Sequence, residues 1–250
     1  MSRRCELRDL GRLDWHQAFL EQERLVALRK AGEICDQLLI VEHPHVVTMG
    51  RNGKESNLLA PPELLARAGI GFYETDRGGD VTYHGPGQIV GYPILDLREW
   101  KRDVHLYVRA LEQVLIDTLA DFEIAAERME RCTGVWVGGA KLAAIGIHIS
   151  RWITSHGFAF NLNPDLKYFQ YIVPCGLTKP VTSMQKLGVE PRWDEVVSRI
   201  ATHFARNFEF ELFDGDDSHG RRIDAPDGRK HSGRNADTLA EEEGRISRAG

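Results

Sequence analysis

Segments with the period of a strand and segments with the period of a helix are interspersed along the 250 residues without regular strand–helix–strand alternation. This irregular order argues against a doubly wound parallel sheet. It predicts an α+β fold, a mixed β-sheet flanked by helices. Three helices are predicted. Asp14 is a natural N-cap with Gln17 at the capping-box position, and Trp15, Ala18, Phe19, Gln22 and Val26 follow on one stripe up to Gly32. Asp103 caps a second helix whose apolar face runs through Val104, Tyr107, Val108, Leu111, Val114, Leu115 and Phe122. The third spans about residues 193–207, with Trp193, Val196, Val197, Ile200 and Phe204 inward. Strands are expected at 38–41, 46–49, 70–75, 88–95, 135–137, 142–149, 157–162 and 209–213. The Gly138-Gly139 turn should separate two of them, and residues 51–60 read as a polar loop.

After Phe213 the composition changes. Residues 214–250 contain no Phe, Trp or Tyr. So little apolar surface cannot offset the cost of ordering the chain, so the expectation is one catalytic domain over 1–213 and a disordered tail over 214–250. The Glu241-Glu242-Glu243 run is then a solvated patch. No internal repeat is visible.

Hydrophobic residues at 42% and charged residues at 28% allow a substantial core without disulfides or metal. A formal net charge of -5 gives no electrostatic footprint for nucleic acid. The 4 cysteines, Cys5, Cys35, Cys132 and Cys175, form no C-x-x-C pair, which points to free thiols in a reducing compartment. The start of the chain has no apolar leader segment, Glu6 and Asp9 argue against a transit peptide, and no apolar run is long enough to span a bilayer. A cytoplasmic location without membrane contact is expected.

Three features carry chemistry. Cys175 lies in Val173-Pro174-Cys175-Gly176-Leu177, where Pro174 fixes the chain before it and Gly176 leaves room after it. A thiolate nucleophile needs access, a nearby positive charge and backbone N–H groups for an oxyanion. A lone cysteine is more often a small buried hydrophobe, a description that fits Cys35 and Cys132 better. Lys141 opens a strand in which 141, 145, 147 and 149 share one face, so it should point towards the apolar side marked by Ile145, Ile147 and Ile149. A desolvated lysine can exchange protons near neutrality, but reaching water from the turn is the commoner fate of a lysine. Ala143, Ala144 and Gly146 leave space for something to lie along this strand.

The third feature is Arg77-Gly78-Gly79-Asp80-Val81-Thr82-Tyr83-His84-Gly85-Pro86-Gly87-Gln88. It lacks the spacing of a P-loop or a dinucleotide fingerprint and leads into a strand rather than a helix. A rim clamping an extended substrate and a tight hairpin are equally compatible with it. His84 and His156 could each handle protons or be structural, and no histidine pair has helical metal-ligand spacing.

Together these segments resemble the octanoyl-[acyl-carrier-protein]:protein N-octanoyltransferases, the lipoyl/octanoyl transferases. The resemblance rests on Arg77 to Gln88, Gly139-Ala140-Lys141-Leu142-Ala143-Ala144-Ile145-Gly146, His156-Gly157-Phe158-Ala159-Phe160-Asn161-Leu162, and Pro174-Cys175-Gly176-Leu177 followed by Val181-Thr182-Ser183-Met184. Gly50-Arg51 and Asn57-Leu58-Leu59 also fit the family, and the likeness extends from about residue 7 to 213. It implies a biotin/lipoate protein ligase-like fold. It implies that Cys175 carries the acyl thioester and that Lys141 lowers its pKa. The implied acyl-binding residues are Arg77, Gly78, Gly79, Asp80, Val81, Thr82, Tyr83 and His84, then Ala144, Ile145 and Gly146, then Gly157, Phe158 and Ala159. Phe158 and Phe160 stand where many relatives carry aliphatic residues, which could alter pocket shape.

The implied reaction takes octanoate from the phosphopantetheine arm of octanoyl-acyl carrier protein to a lysine of apo lipoyl domains. Those domains belong to 2-oxoacid dehydrogenase complexes and the glycine cleavage H protein. The reaction needs no cofactor and no metal. An ATP-dependent lipoate or biotin ligase, a non-catalytic acyl-binding protein and a thiol hydrolase are the competing readings. Retention of both Cys175 and Lys141 favours the transferase.

Overall fold

The computed structural model describes residues 3–173 and 179–215. Its central feature is an eight-stranded mixed sheet. The strands are β1 (Arg3–Arg12), β2 (Asp36–Glu42), β6 (Gln88–Ile94), β7 (Glu127–Met129), β8 (Cys132–Val137), β9 (Ala140–Ser150), β10 (Ile153–Asn161) and β11 (Phe210–Asp214), ordered β11-β1-β2-β6-β10-β9-β8-β7. β1 pairs in parallel with both β11 and β2, and the remaining pairs are antiparallel. A second sheet, ordered β4-β3-β5, contains β3 (Val46–Met49), β4 (Gly71–Glu74) and β5 (Val81–His84). The α+β class with a mixed sheet is as the sequence predicts.

Helices cover the large sheet on both faces. α3 (Val104–Ala120) and α4 (Trp193–Phe208) lie on one face, where Leu111, Leu115, Ile200 and Phe204 join Leu38, Ile89, Phe158 and Phe160 in the main core. α1 (Trp15–Ala31) lies on the other, packing Ala18 and Leu25 against Leu39, Val41, Val90 and Ala159. The small sheet and α2 (Pro62–Arg67) enclose a third cluster around Val47, Leu65 and Tyr83.

Local chemistry sets the helix ends. Asp14 accepts from the N–H groups of His16 and Gln17 at 2.8 and 3.4 Å, and Gly32 closes α1 with φ 75°. Asp103 accepts from the Leu106 N–H at 3.0 Å. The C-terminus of α1 is held by buried Arg29, which donates to Asp36 at 2.8 Å and to Glu99 at 2.7 Å.

Several boundaries differ from expectation. β1, β5, β7 and α2 are additional elements. β5 and β6 belong to different sheets, so the glycine-rich stretch between 77 and 88 is not a hairpin. Asp214 ends a strand and the Gly215 N–H donates to the Leu7 carbonyl at 3.0 Å, so the folded part reaches at least residue 215. The expectation for the rest of the tail falls on residues 216–250, outside the described residues. Among the described residues, no helix is long and apolar enough to cross a membrane.

Candidate active site

A groove lies over β6, β10 and β9, on the face opposite α3 and α4. Its floor is a product of register. Val90 pairs with Ala159 and Ala159 with Ala144, giving one row of small side chains across three strands. Gly157 pairs with Gly146 one row further along. The groove has two connected parts that share Thr82, Ala144 and Ala159. The larger, about 500 Å³ and open at its mouth, is walled by Trp15, Arg77, Asp80, His84, Tyr92 and His156. The smaller, about 320 Å³, ends on Gln88, Lys141, Asn161 and Val181.

Segment 77–80 roofs this floor. The Gly78 N–H donates to the Ile147 carbonyl at 2.8 Å. Arg77, 8% exposed, donates to the Thr48 carbonyl at 2.7 Å and its hydroxyl at 2.9 Å. Asp80 accepts from the N–H groups of Val81 and Lys54 and from the Asn57 amide. The roof is therefore tied to both sheets, as a clamp over an extended ligand requires.

Lys141 is buried, with its ammonium 4.8 Å from the Trp136 ring centroid. Its direction corrects the face assigned from strand alternation. Between β8 and β9 the register passes from Val135↔Ala143 to Trp136↔Lys141, one step on β8 and two on β9. That bulge puts Leu142 and Ala143 together in the main core. Ile145, Ile147 and Ile149 pack against the same core, while Lys141 turns to the groove with Ala144. Gly134, opposite the bulge, has φ 123°, and a Cβ there would lie 2.5 Å from the Ala143 carbonyl oxygen and 3.6 Å from Lys141 Cε.

Cys175 lies outside the described residues, in the interval 174–178. The described residues flanking it are fixed on both sides. The Val173 N–H donates to the Asn57 carbonyl at 2.7 Å, and Ile172 bridges Leu58. The Lys141 N–H donates to the Pro180 carbonyl and the Thr182 N–H to the Lys141 carbonyl, both at 2.9 Å. Cys5 and Cys35 are poor nucleophile candidates. Cys5 is fully buried, and burial pushes the Cys5 and Cys35 thiols up.

A chain of polar side chains joins the two parts of the groove. His84 Nδ1 donates to Gln88 Oε1 at 3.3 Å. Gln88 Nε2 donates to Asn161 Oδ1 at 3.0 Å, and Asn161 Nδ2 to the Thr182 carbonyl at 2.9 Å. Burial, aided by neighbouring His43 and Arg77, holds the His84 imidazole well below its ordinary range. It is therefore neutral at pH 7, with Nε2 as its acceptor. Tyr83 joins this end of the groove, its hydroxyl 2.7 Å from His45 Nδ1, and burial pushes the phenol up.

At the far end, His156 adopts φ 55° within β10 and its Nε2 lies 2.7 Å from Asp76 Oδ1. The His156 hydrogen bond holds Asp76 below the usual carboxylate range, with His148 adding to the effect. Ala144, Ile145, Gly146, Gly157, Phe158 and Ala159 all line the groove. Phe158 also belongs to the main core, and Phe160 lies wholly within that core. Trp15, Tyr92, Gln88 and Asn161 escaped the sequence reading as site residues. Trp15 registered only as part of a helix stripe, and Asn161 only as one residue within a motif.

A buried lysine closes a narrow, small-residue groove on a mixed sheet, a place where an extended ligand can lie beside a cation. The chain belongs to the lipoyl protein ligase A/B catalytic domain family, whose family model matches residues 14–205. Within that family its relatives are octanoyltransferases, and it is an acyltransferase of that kind. The octanoyltransferase of Solibacter usitatus is 64% identical over 213 residues, covering 85% of this chain and 97% of the relative. That of Koribacter versatilis is 50% identical over 211 residues, covering 82% and 84%. Among solved structures, a bipartite lipoate protein ligase from Thermoplasma acidophilum aligns with a TM-score of 0.67 at 14% identity, over 85% of this chain and 86% of that one. This last likeness is one of fold.

Proposed function

We propose that the protein transfers an octanoyl group from octanoyl-acyl carrier protein to a lysine of apo lipoyl domains, through a thioester on Cys175. The observation that carries the reading is the groove itself. An apolar floor runs to Lys141, whose backbone holds the chain at Pro180 and Thr182, directly after the interval containing Cys175. A free cysteine thiol titrates near ~8.5, so an ammonium beside it raises the thiolate fraction at pH 7. Attack on the incoming thioester forms the Cys175 thioester, and the carrier leaves as a thiol by taking the proton of the Lys141 ammonium, which leaves Lys141 neutral for the second step. The target amine then attacks, an amide forms, and Cys175 leaves as thiolate, with Lys141 as the proton acceptor.

The first step exchanges one thioester for another and the second is downhill, so no ATP, cofactor or metal is required. The octanoyl tail adds binding energy, with each buried methylene contributing about 0.8 kcal/mol. Free thiols and a carrier-borne substrate support a cytoplasmic setting for the reaction. The acceptors are the lipoyl domains of 2-oxoacid dehydrogenases and the glycine cleavage H protein.

Incubation with octanoyl-acyl carrier protein without ATP, followed by intact mass and peptide mapping, tests this. The expected product is a hydroxylamine-sensitive octanoyl adduct on Cys175, absent in Cys175→Ala and discharged by apo lipoyl domain. Labelling only from free octanoate with ATP would identify a ligase instead.

A further inference from the structure

The groove ends on three aromatic rings: Trp15, Tyr92 and His156. From Asn161, beside Lys141, to Gly157, beside this wall, is four residues of β10, or about 13 Å. An extended octanoyl chain, with C–C bonds of about 1.5 Å, reaches about 9 Å. With its carbonyl just inside the Lys141 end, its methyl group meets the ring wall.

The slot is narrow at that point. A Cβ at Gly146 would lie 3.1 Å from the Gly78 carbonyl oxygen and 3.2 Å from Arg77 Cδ. The end rings are each held from behind. Trp15, 4% exposed, stacks on Phe19 at 5.3 Å and on Tyr73 at 4.9 Å between centroids. The Tyr92 hydroxyl donates to His43 Nε2 at 2.8 Å, because His43 Nδ1 donates to the Leu13 carbonyl. His156 is bound to Asp76.

Resting on the octanoyl-transfer reading, we propose that this wall sets the upper limit of acyl length and that Trp15 is its principal determinant. Tyr92 and His156 cannot be trimmed without stranding the polar groups of His43 and Asp76. Trp15 stacks on Phe19 and Tyr73 and its indole is hydrogen-bonded to Tyr92, whose hydroxyl keeps His43 as a second partner, so its replacement opens space beyond the methyl group and leaves the His43 and Asp76 bonds in place.

The test measures kcat/KM for transfer from hexanoyl-, octanoyl-, decanoyl- and dodecanoyl-acyl carrier protein to apo lipoyl domain. The parent should prefer octanoyl and fall off at decanoyl. Trp15→Ala and the milder Trp15→Leu should raise the decanoyl-to-octanoyl ratio about tenfold, the value of two further buried methylenes. Gly146→Ala, which narrows the same end, should shift preference towards hexanoyl and keeps the test alive if the Trp15 variants fail to fold. Equal parental use of dodecanoyl and octanoyl, or ratios unmoved in folded variants that still transfer octanoyl, would overturn the proposal. A parent that transfers no chain at all would instead overturn the octanoyl-transfer reading.

Discussion

Glu112 stands on α3, on the core side of the sheet, and is 1% exposed. Its Oε2 accepts from Arg109 at 2.7 Å and Arg128 at 3.1 Å, while Oε1 accepts the Gly134 N–H at 3.1 Å. Gly134 lies opposite the β9 bulge that turns Lys141 into the groove, so a helix carboxylate helps to aim a lysine on the other face of the sheet. Glu112→Gln keeps an acceptor for Gly134 but loses two charge-assisted bonds, and should lower stability by about 1–3 kcal/mol in urea denaturation. Gly134→Ala should do more. Its φ of 123° and the 2.5 Å approach to the Ala143 oxygen force the bulge and Lys141 Cε to move. A displacement of that order can cost about a hundredfold in rate, to be read as slowed acylation of Cys175. An acylation rate at the parental level would dissociate the bulge from Lys141. Neither feature was legible in the sequence. Strand alternation assigned Lys141 to the face of Ile145, Ile147 and Ile149, and only the tertiary partners of the bulge, Gly134 and Glu112, reverse that assignment.

The first turn of α1 shows how an element carries a site residue. Asp14 caps the helix, and Trp15 is its first residue, so the cap that starts the helix also fixes the indole at the groove's end. Asp14→Ala should cost about 1 kcal/mol of stability by urea denaturation, with a shift in Trp15 fluorescence. Unchanged stability would mean that ring stacking alone fixes this turn. α1 and α3 were readable because their aspartate caps are local, and α4 because its apolar stripe is. β1 was not, since only Cys5 in its ten residues is buried and its place comes from pairing with β2 and β11. β5 was hidden for a related reason. Flanked by glycines, it pairs with β3, which precedes it by more than thirty residues, and contributes Thr82, Tyr83 and His84 to the groove only through that pairing.

Folding buries His43 and His84 in surroundings that disfavour their charged forms, which couples the stability of the whole molecule to pH. Burial holds His43 and His84 below the ordinary value of 6.5, and His45 and His148, nearer the surface, shift the same way. Below pH 6.5 the unfolded chain therefore binds more protons than the folded one, so unfolding free energy falls as pH falls. Each fully buried histidine can add a slope of at most about 1.4 kcal/mol per pH unit. The carboxylates act elsewhere. Asp76 is held below 3.8, so its contribution is lost only in stronger acid. Asp36 is raised from 3.8 by burial and acts in the opposite sense near its own titration. Urea midpoints at pH 7.5, 6.5 and 5.5 should be level over the upper interval and fall over the lower one. His84→Gln, which removes the imidazole but retains a polar side chain beside Gln88, should flatten that fall. A parental midpoint that holds or rises at pH 5.5 would mean that the groove admits a protonated histidine, and the neutral His84 that donates to Gln88 would not be the state in which the enzyme folds.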